Sequence, residues 1–301
     1  MSPKKIYIPI IGLFAIMSII SLYLIVGGLL SQGNGFRIIK NVHANITGSG
    51  NSRETQRQCI KNANGVKIYA YMFHYIIPDK YVDKENKIEY GNSIPPEKLE
   101  SILQALGQAR SDKKIQVVDL TELQGFNKTG CFPARNIVLL TVDDGWDDGY
   151  NFLFPLAKKY NMKFNLGIIA DKVSTTPSEI NNFLNEREIR EMLGSGLITL
   201  ASHSFSHIEL HNQTELVLKK EILLSKQTLE NWFHIPINTL IYPSGKYDGL
   251  TLKIAKESGY SFGFTTKKGI ITPEDLDKNP LTLPRIRVNR DTDVSKAFLF
   301  E

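Results

Sequence analysis

The chain reads as an α/β protein built on a β/α barrel of about seven or eight parallel strands. Three observations predict it. Short apolar runs alternate with helix-like stretches from residue 66 onward, the pattern of βα units around a parallel sheet. Several of those runs are apolar throughout, as strands covered on both faces are. The residues richest in chemistry follow such runs directly, where barrel proteins carry their catalytic groups.

The elements follow in order. Apolar runs predict strands over 66–73, 115–120, 136–142 and 163–170. Helical spacing predicts helices over 96–109, 150–160 and 186–193. A strand over 197–202 precedes a long amphipathic helix over 214–233. Strands over 239–242, 262–265 and 285–288 close the set, with a helix over 250–258.

The 301 residues suffice for one large domain or two small ones. Hydrophobic content of 42% and charged content of 22% are ordinary for a globular chain. The net charge of +5 is spread along the sequence without a basic block, so a nucleic-acid partner is not expected. Cys59 and Cys131 form no CxxC pair. A thiolate zinc site is therefore not expected, while one disulfide and two free thiols both remain open.

Residues 6–30 run without a charged side chain behind Lys4 and Lys5. That stretch is long enough to span a bilayer and too long for the apolar core of a cleaved leader. The expected organisation is a cytoplasmic tip and transmembrane anchor over 1–30, a flexible Gly-, Asn- and Ser-rich linker over 31–65, and a globular domain over 66–301. This makes the chain a single-pass protein of a bacterial inner or cytoplasmic membrane, with its domain outside the cytoplasm.

Two motifs carry chemistry. Asp143 and Asp144 end the apolar run 137–142, and adjacent anions at a core edge call for a neutralising partner such as a metal ion. Gly145 then permits a sharp turn. His203 and His207 follow the apolar run 197–202, and imidazoles at that spacing converge on one ion in a turned segment. Two histidines and one carboxylate form an open, catalytic type of site. Zinc is the favoured ion, with cobalt, nickel and iron compatible. An iron oxygenase is the rival chemistry for the same donors.

Thr141-Val142-Asp143-Asp144-Gly145 followed by Ser202-His203-Ser204-Phe205-Ser206-His207 resembles the first two motifs of the NodB-homology polysaccharide deacetylases, carbohydrate esterase family 4. The resemblance covers residue 66 to the C-terminus and implies a distorted barrel and an N-acetylated glycan substrate. It implies Asp143 as catalytic base, with Asp144, His203 and His207 as metal ligands. Tyr242-Pro243-Ser244-Gly245 resembles the groove-lining third motif. Ile241 stands there where the family carries an arginine, and Ser244 where it carries a tyrosine.

Leu283-Pro284-Arg285 resembles the segment of a subgroup whose arginine pairs with the base. Tyr71-Met72-Phe73-His74-Tyr75 resembles the opening of the circularly permuted members that act on poly-β-1,6-N-acetylglucosamine. By that resemblance His74 is the general acid, and polysaccharide synthesis or export machinery is an implied partner. A catalytically degenerate, anchored glycan-binding or assembly protein is the alternative. Asp147 and Asp148 read as solvating a helix start, His211 and His234 as structural. Trp146, Tyr242 and Tyr247 read equally as sugar platforms and as core.

Overall fold

The computed structural model describes residues 59–61, 64–82, 85, 87–173, 182–298 and 300. The expected anchor over 6–30 lies outside them. Among the described residues no helix is long and apolar enough to cross a membrane.

Seven parallel strands close into a ring. β1 (Lys67–Phe73) pairs with β5 (Asn136–Val142) on one side and with β10 (Leu283–Arg287) on the other. Between those neighbours run β6 (Phe164–Ile168), β7 (Ile198–Ser202), β8 (Thr239–Ile241) and β9 (Phe262–Lys268), each hydrogen-bonded to the next. All these pairings are parallel. A separate two-stranded ribbon joins β2 (Tyr75–Ile76) to β3 (Ser93–Ile94) at the mouth.

The expected strand over 115–120 is corrected. Only β4 (Gln116–Val117) is extended, and it pairs with the first half of β5. Asp119 then caps helix α3 (Leu120–Thr129): its carboxylate accepts from the Glu122 N–H, and Glu122 accepts from the Asp119 N–H. This capping box converts an apolar run into a helix start. β6 meets β5 only at Thr141 and Val142, so the ring splays below that point. Asn165, fully buried, bridges the splay. Its Nδ2 donates to Leu140 O at 3.0 Å, and its Oδ1 accepts from Leu120 N at 2.9 Å and Thr199 Oγ1 at 2.5 Å.

Helices cover the ring. α1 (Lys87–Asn92) and α2 (Pro96–Ser111) precede β4, and α4 (Phe154–Tyr160) follows a π turn over Gly149–Leu153. α5 (Glu186–Gly194) starts at the Asn185 cap. The long helix expected over 214–233 is α6 (Glu215–Leu218), a π segment Lys219–Leu224, and α7 (Ser225–Phe233). α8 (Gly249–Glu257), α9 (Pro273–Lys278) and α10 (Val294–Ala297) complete the layer.

The period of two along each strand divides the core. Ile68, Ala70, Ile137, Leu139, Ala201, Ile241, Phe264 and Leu283 share the inner cluster. Tyr71, Phe73, Val138, Leu140 and Val142 face outward, in the cluster that holds Leu99, Ile102 and Leu106 of α2. That parity decides the site. Positions 74, 143, 203 and 285 all continue the inward series of their strands.

Outside the ring, Cys59 and Cys131 are disulfide-bonded with Cα atoms 5.2 Å apart, and Ile60 pairs with Phe132. The bond closes a loop with a sequence separation of 72. A crosslink of that span removes loop entropy from the unfolded chain, worth about 2–4 kcal/mol. Replacing Cys131 by Ser is expected to lower the unfolding free energy by about that much. Guanidinium titration of the variant and of dithiothreitol-treated wild type should agree. An unchanged midpoint in both would show that the crosslink is absent in solution.

Candidate active site

At the C-terminal end of the ring, a cavity of about 600 Å³ opens over the ends of β1, β5, β7 and β10. Asp143 enters it first. Its N–H continues the β1–β5 ladder to Phe73 O at 3.0 Å, which holds the backbone while the side chain turns inward. The two oxygens are clamped by Arg285: Nη1 reaches Oδ1 at 2.7 Å and Nη2 reaches Oδ2 at 2.7 Å. Arg285 is fully buried and also donates from Nε to Thr265 O and from Nη1 to Thr141 Oγ1, both at 3.0 Å. Burial pushes the Asp143 carboxyl up, but the Arg285 charge and hydrogen bonds outweigh it and hold the group below its ordinary value.

His74 lies on the cavity side of this pair, with Nε2 3.8 Å from Asp143 Oδ2. Burial lowers its pKa, and the charges of Asp143 and Asp144 only partly offset that. The imidazole is therefore mainly neutral at neutral pH.

Asp144 points elsewhere because its backbone is forced to. Asp144 and Gly145 both take left-handed conformations, at φ 76° and 77°. This rotates the Asp144 carboxylate toward the β7 loop. Its Oδ1 lies 3.2 Å from His203 Nε2 and 3.3 Å from His207 Nε2. One donor atom from each residue falls within 4.8 Å of the others. Gly167 of β6 leaves the room for this approach: a Cβ there would meet Ile241 Cδ1 at 2.9 Å, with Asp143 Cα and His203 Cβ at 3.6 Å.

The donor set fits a divalent ion. His203 Nδ1 is 2.9 Å from Ile241 O, which holds a proton on Nδ1 and commits Nε2 to Asp144 here, or to a metal once Nε2 gives up its proton. Burial raises the Asp144 pKa, yet its hydrogen bonds to His203 and His207 keep it well below the ordinary value. It is thus available as an anionic ligand.

The His203–His207 loop is itself strained and held. Ser204 and His207 both have φ 66°. Ser204 Oγ accepts from His207 N at 2.9 Å. Glu221, buried in the π segment, accepts from Phe205 N, Ser206 N and Ser206 Oγ at 3.1, 2.8 and 2.7 Å. Strain of this kind persists only where the surroundings over-determine it. Glu221 does that here, and the sequence pattern gave no sign of it, because a π segment looks like uninterrupted helix.

Trp146 is a second residue whose place the motifs did not assign. Its Nε1 donates to Asp144 Oδ2 at 3.1 Å, so the carboxylate oxygen turned away from the histidines is also occupied. The indole stacks between Tyr75 and Phe183, with ring centroids 5.1 and 4.1 Å away. These rings form one wall of the cavity.

Of the third-motif residues, Tyr242 and Ser244 line the cavity. Pro243 and Gly245 do not; they build the turn behind, where Gly245 N donates to Tyr242 O at 2.8 Å. Ile241 packs in the inner core, and Arg285 reaches Asp143 instead. His211 and His234 do not line the cavity. Asp148 is fully buried and accepts from Ile76 N at 2.8 Å, which ties the first-motif loop to β2. Burial pushes its carboxyl up to about 8.

Two outcomes follow for these neighbours. Trp146→Phe keeps a ring in the stack but removes the donor to Asp144. Such outer partners are worth about 10–100-fold in metal affinity, so zinc competition against a chelating dye should show a weaker Kd of that order. An unchanged Kd would leave the indole as packing alone. For Asp148, the folded pKa near 8 lies above the ordinary 3.8. The unfolded chain then loses a proton that the folded one keeps, so stability falls as pH rises across that window. Asp148→Asn removes this loss. Its Tm advantage over wild type should grow from pH 4 to pH 8, and a pH-independent difference would contradict a protonated Asp148.

Comparison with known proteins agrees with this geometry. Residues 133–263 match the polysaccharide deacetylase family model. YxkH of Bacillus subtilis, a protein assigned to the polysaccharide deacetylases, is 34% identical over 157 residues, 52% of this chain and 53% of its own. The poly-beta-1,6-N-acetyl-D-glucosamine N-deacetylase of Staphylococcus epidermidis is 27% identical over 183 residues, 57% of this chain and 61% of its own. The chain therefore spans between half and two thirds of the length of these curated relatives. Among solved structures, the Streptococcus pyogenes deacetylase PplD, in complex with acetate, superposes with a TM-score of 0.66 at 26% identity, over 76% of this chain and 96% of that one. IcaB from Ammonifex degensii shares the fold at a TM-score of 0.65, 20% identity, and 78% and 98% coverage. Residues 133–263, which hold both the Asp143-Asp144 and the His203–His207 motifs, accordingly resemble the polysaccharide deacetylases of the NodB-homology type, carbohydrate esterase family 4, a family of hydrolases that act on the amide bonds of N-acetylated polysaccharides.

Proposed function

We propose that the protein removes N-acetyl groups by metal-dependent hydrolysis from a cell-surface or exported polysaccharide, with a poly-N-acetylglucosamine-like chain as favoured substrate. One observation carries this reading. A three-donor cluster and a separately clamped carboxylate, with an imidazole 3.8 Å from it, face the same cavity. The named activity of the Staphylococcus relatives supports the choice of glycan.

Asp144, His203 and His207 would hold a divalent ion, zinc being favoured for its tolerance of this donor set. An ion bound there would supply Lewis-acid polarisation of the acetamide carbonyl and acidify water at the site. The chain's own groups do the rest. Asp143, kept ionised by Arg285, accepts the proton from the attacking water at Oδ2, the oxygen that faces His74. His74, neutral at rest and 3.8 Å from that oxygen, takes up this proton from Asp143 and passes it to the departing amine nitrogen as the C–N bond breaks, which leaves both groups as they began. Its lowered pKa suits it to release that proton. The Ser244 N–H, in a left-handed turn at the cavity edge, is the candidate donor to the developing oxyanion. The products are acetate and a free amine.

The Cys59–Cys131 disulfide supports a location outside the cytosol. That agrees with the anchor expected over 6–30, and with synthesis or export machinery as neighbours.

Acetate release from N-acetylated oligosaccharides is expected to stop with EDTA and return with zinc or cobalt. His203→Ala should lose bound metal by elemental analysis, whereas Asp143→Asn should retain it and lose activity by at least about a hundredfold. Full activity in Asp143→Asn would overturn the assigned base. Metal-independent acetate release would overturn the reaction type.

A further inference from the structure

Arg287 is the charged group on the cavity wall that the reaction above leaves unused. It lies two residues beyond Arg285 on β10 and lines the cavity. Side chains at that spacing share a face of a strand, with a rise of roughly 3.3 Å per residue. The Arg287 backbone is therefore displaced by roughly 7 Å along the strand from that of Arg285.

The charges around it are accounted for. Of the carboxylates lining the cavity, Asp143 is paired with Arg285 and Asp144 with His203 and His207. The other lining cation, Lys172, has Asp171 at 3.7 Å. Arg287 makes no ion pair among the described residues. Its Nη1 donates to the neutral Asn92 Oδ1 of α1. That contact orients the guanidinium and leaves Nη2 and Nε as a fork of donors. A planar guanidinium with two free donors matches an oxyanion in a bidentate way. An ion held by Asp144, His203 and His207 would make the cavity more positive still.

Resting on the deacetylase reading above, we infer that Arg287 forms an anion subsite at the mouth of the cavity, so that the preferred substrate is an N-acetylated glycan bearing an anionic substituent, phosphate diester or carboxylate, on the reacting sugar or its neighbour. Thr266 and Ser244 line the same cavity. Asn92 is the positioning residue of the subsite.

The experiment measures acetate release from three matched N-acetylglucosamine oligosaccharides: neutral, phosphodiester-substituted and carboxylate-substituted. The expected result for wild type is a kcat/KM at least about tenfold higher on one anionic form, mainly through KM, as a charged hydrogen bond provides. The anionic form that is favoured identifies the source of the charge. Arg287→Gln should collapse the anionic-to-neutral ratio toward one, and Arg287→Lys should restore part of it, with added salt eroding the wild-type preference. Equal rates on all three substrates in wild type, or an unchanged ratio in Arg287→Gln, would overturn the subsite while leaving the deacetylase reading intact. Absence of acetate from all three would overturn the deacetylase reading itself, and the subsite with it.

Discussion

The pairing of Arg285 with Asp143 is the constraint on which the rest of the site depends. Both groups are buried, and the two contacts are each 2.7 Å. Burying an ion pair is expensive, and the Coulomb attraction repays it only when geometry and additional hydrogen bonds are good. Here they are: Thr141 Oγ1 and Thr265 O accept two further hydrogen bonds from the guanidinium. Removing one partner of such a pair leaves an uncompensated buried charge, at about 3–5 kcal/mol. The pair thus fixes the carboxylate's orientation and its charge together.

That pairing also explains why both ends of the domain are needed. β1 bonds to β5 and β10 in register, Tyr71 opposite Leu140 on one side and Ile286 on the other. The strand that leads into His74 is therefore the wedge between the strand of Asp143 and the strand of Arg285. In a linear reading these residues are far apart. In the ring they are lateral neighbours, because closure places the first strand between the last strand and the one that follows the capped helix α3. The distribution of roles over β1, β5 and β10 is a consequence of barrel closure. Ile241 shows the same point from the opposite side. A guanidinium reaching Asp143 from that strand would compete with Arg285 for the same oxygens, and the position is filled by an apolar side chain packed on Gly167.

The barrel was legible in the sequence because its strands are buried on both faces, and unbroken apolar runs such as 136–142 have few other uses. Parity then followed: a strand ending in Thr141-Val142-Asp143 with Leu139 in the core must turn Asp143 inward. The run 115–120 misled because its apolar content is shared between a two-residue strand and the first turn of α3. The deciding interaction there is the reciprocal cap between Asp119 and Glu122, which outweighs hydrophobicity alone. Asp144, His203 and His207 were legible as a donor set by spacing and type. What held them was not. Glu221 reaches the loop from a π segment, and Trp146 acts through its N–H on a neighbour two residues back. Both depend on backbone conformations, π widening and consecutive left-handed residues, that leave no periodic trace.

The strain in the first-motif turn separates the two adjacent carboxylates into different environments. With Asp144 in an extended conformation, Asp143 and Asp144 would still point to opposite faces, as strand neighbours do, and Asp144 would face the outer layer of apolar side chains. The left-handed pair at Asp144 and Gly145 instead brings the second carboxylate back over the mouth of the ring. The two anions then answer to different partners: Asp143 to a permanent cation, Asp144 to two imidazoles that compete with a metal ion for it. One carboxylate keeps its charge whatever occupies the cavity, and the other is free to bind an ion. The proposed base and the proposed ligand, adjacent in sequence, are divided in this way by the backbone. The cost of a non-glycine residue at positive φ, of order 1–3 kcal/mol, is therefore tied to the division of labour at the site.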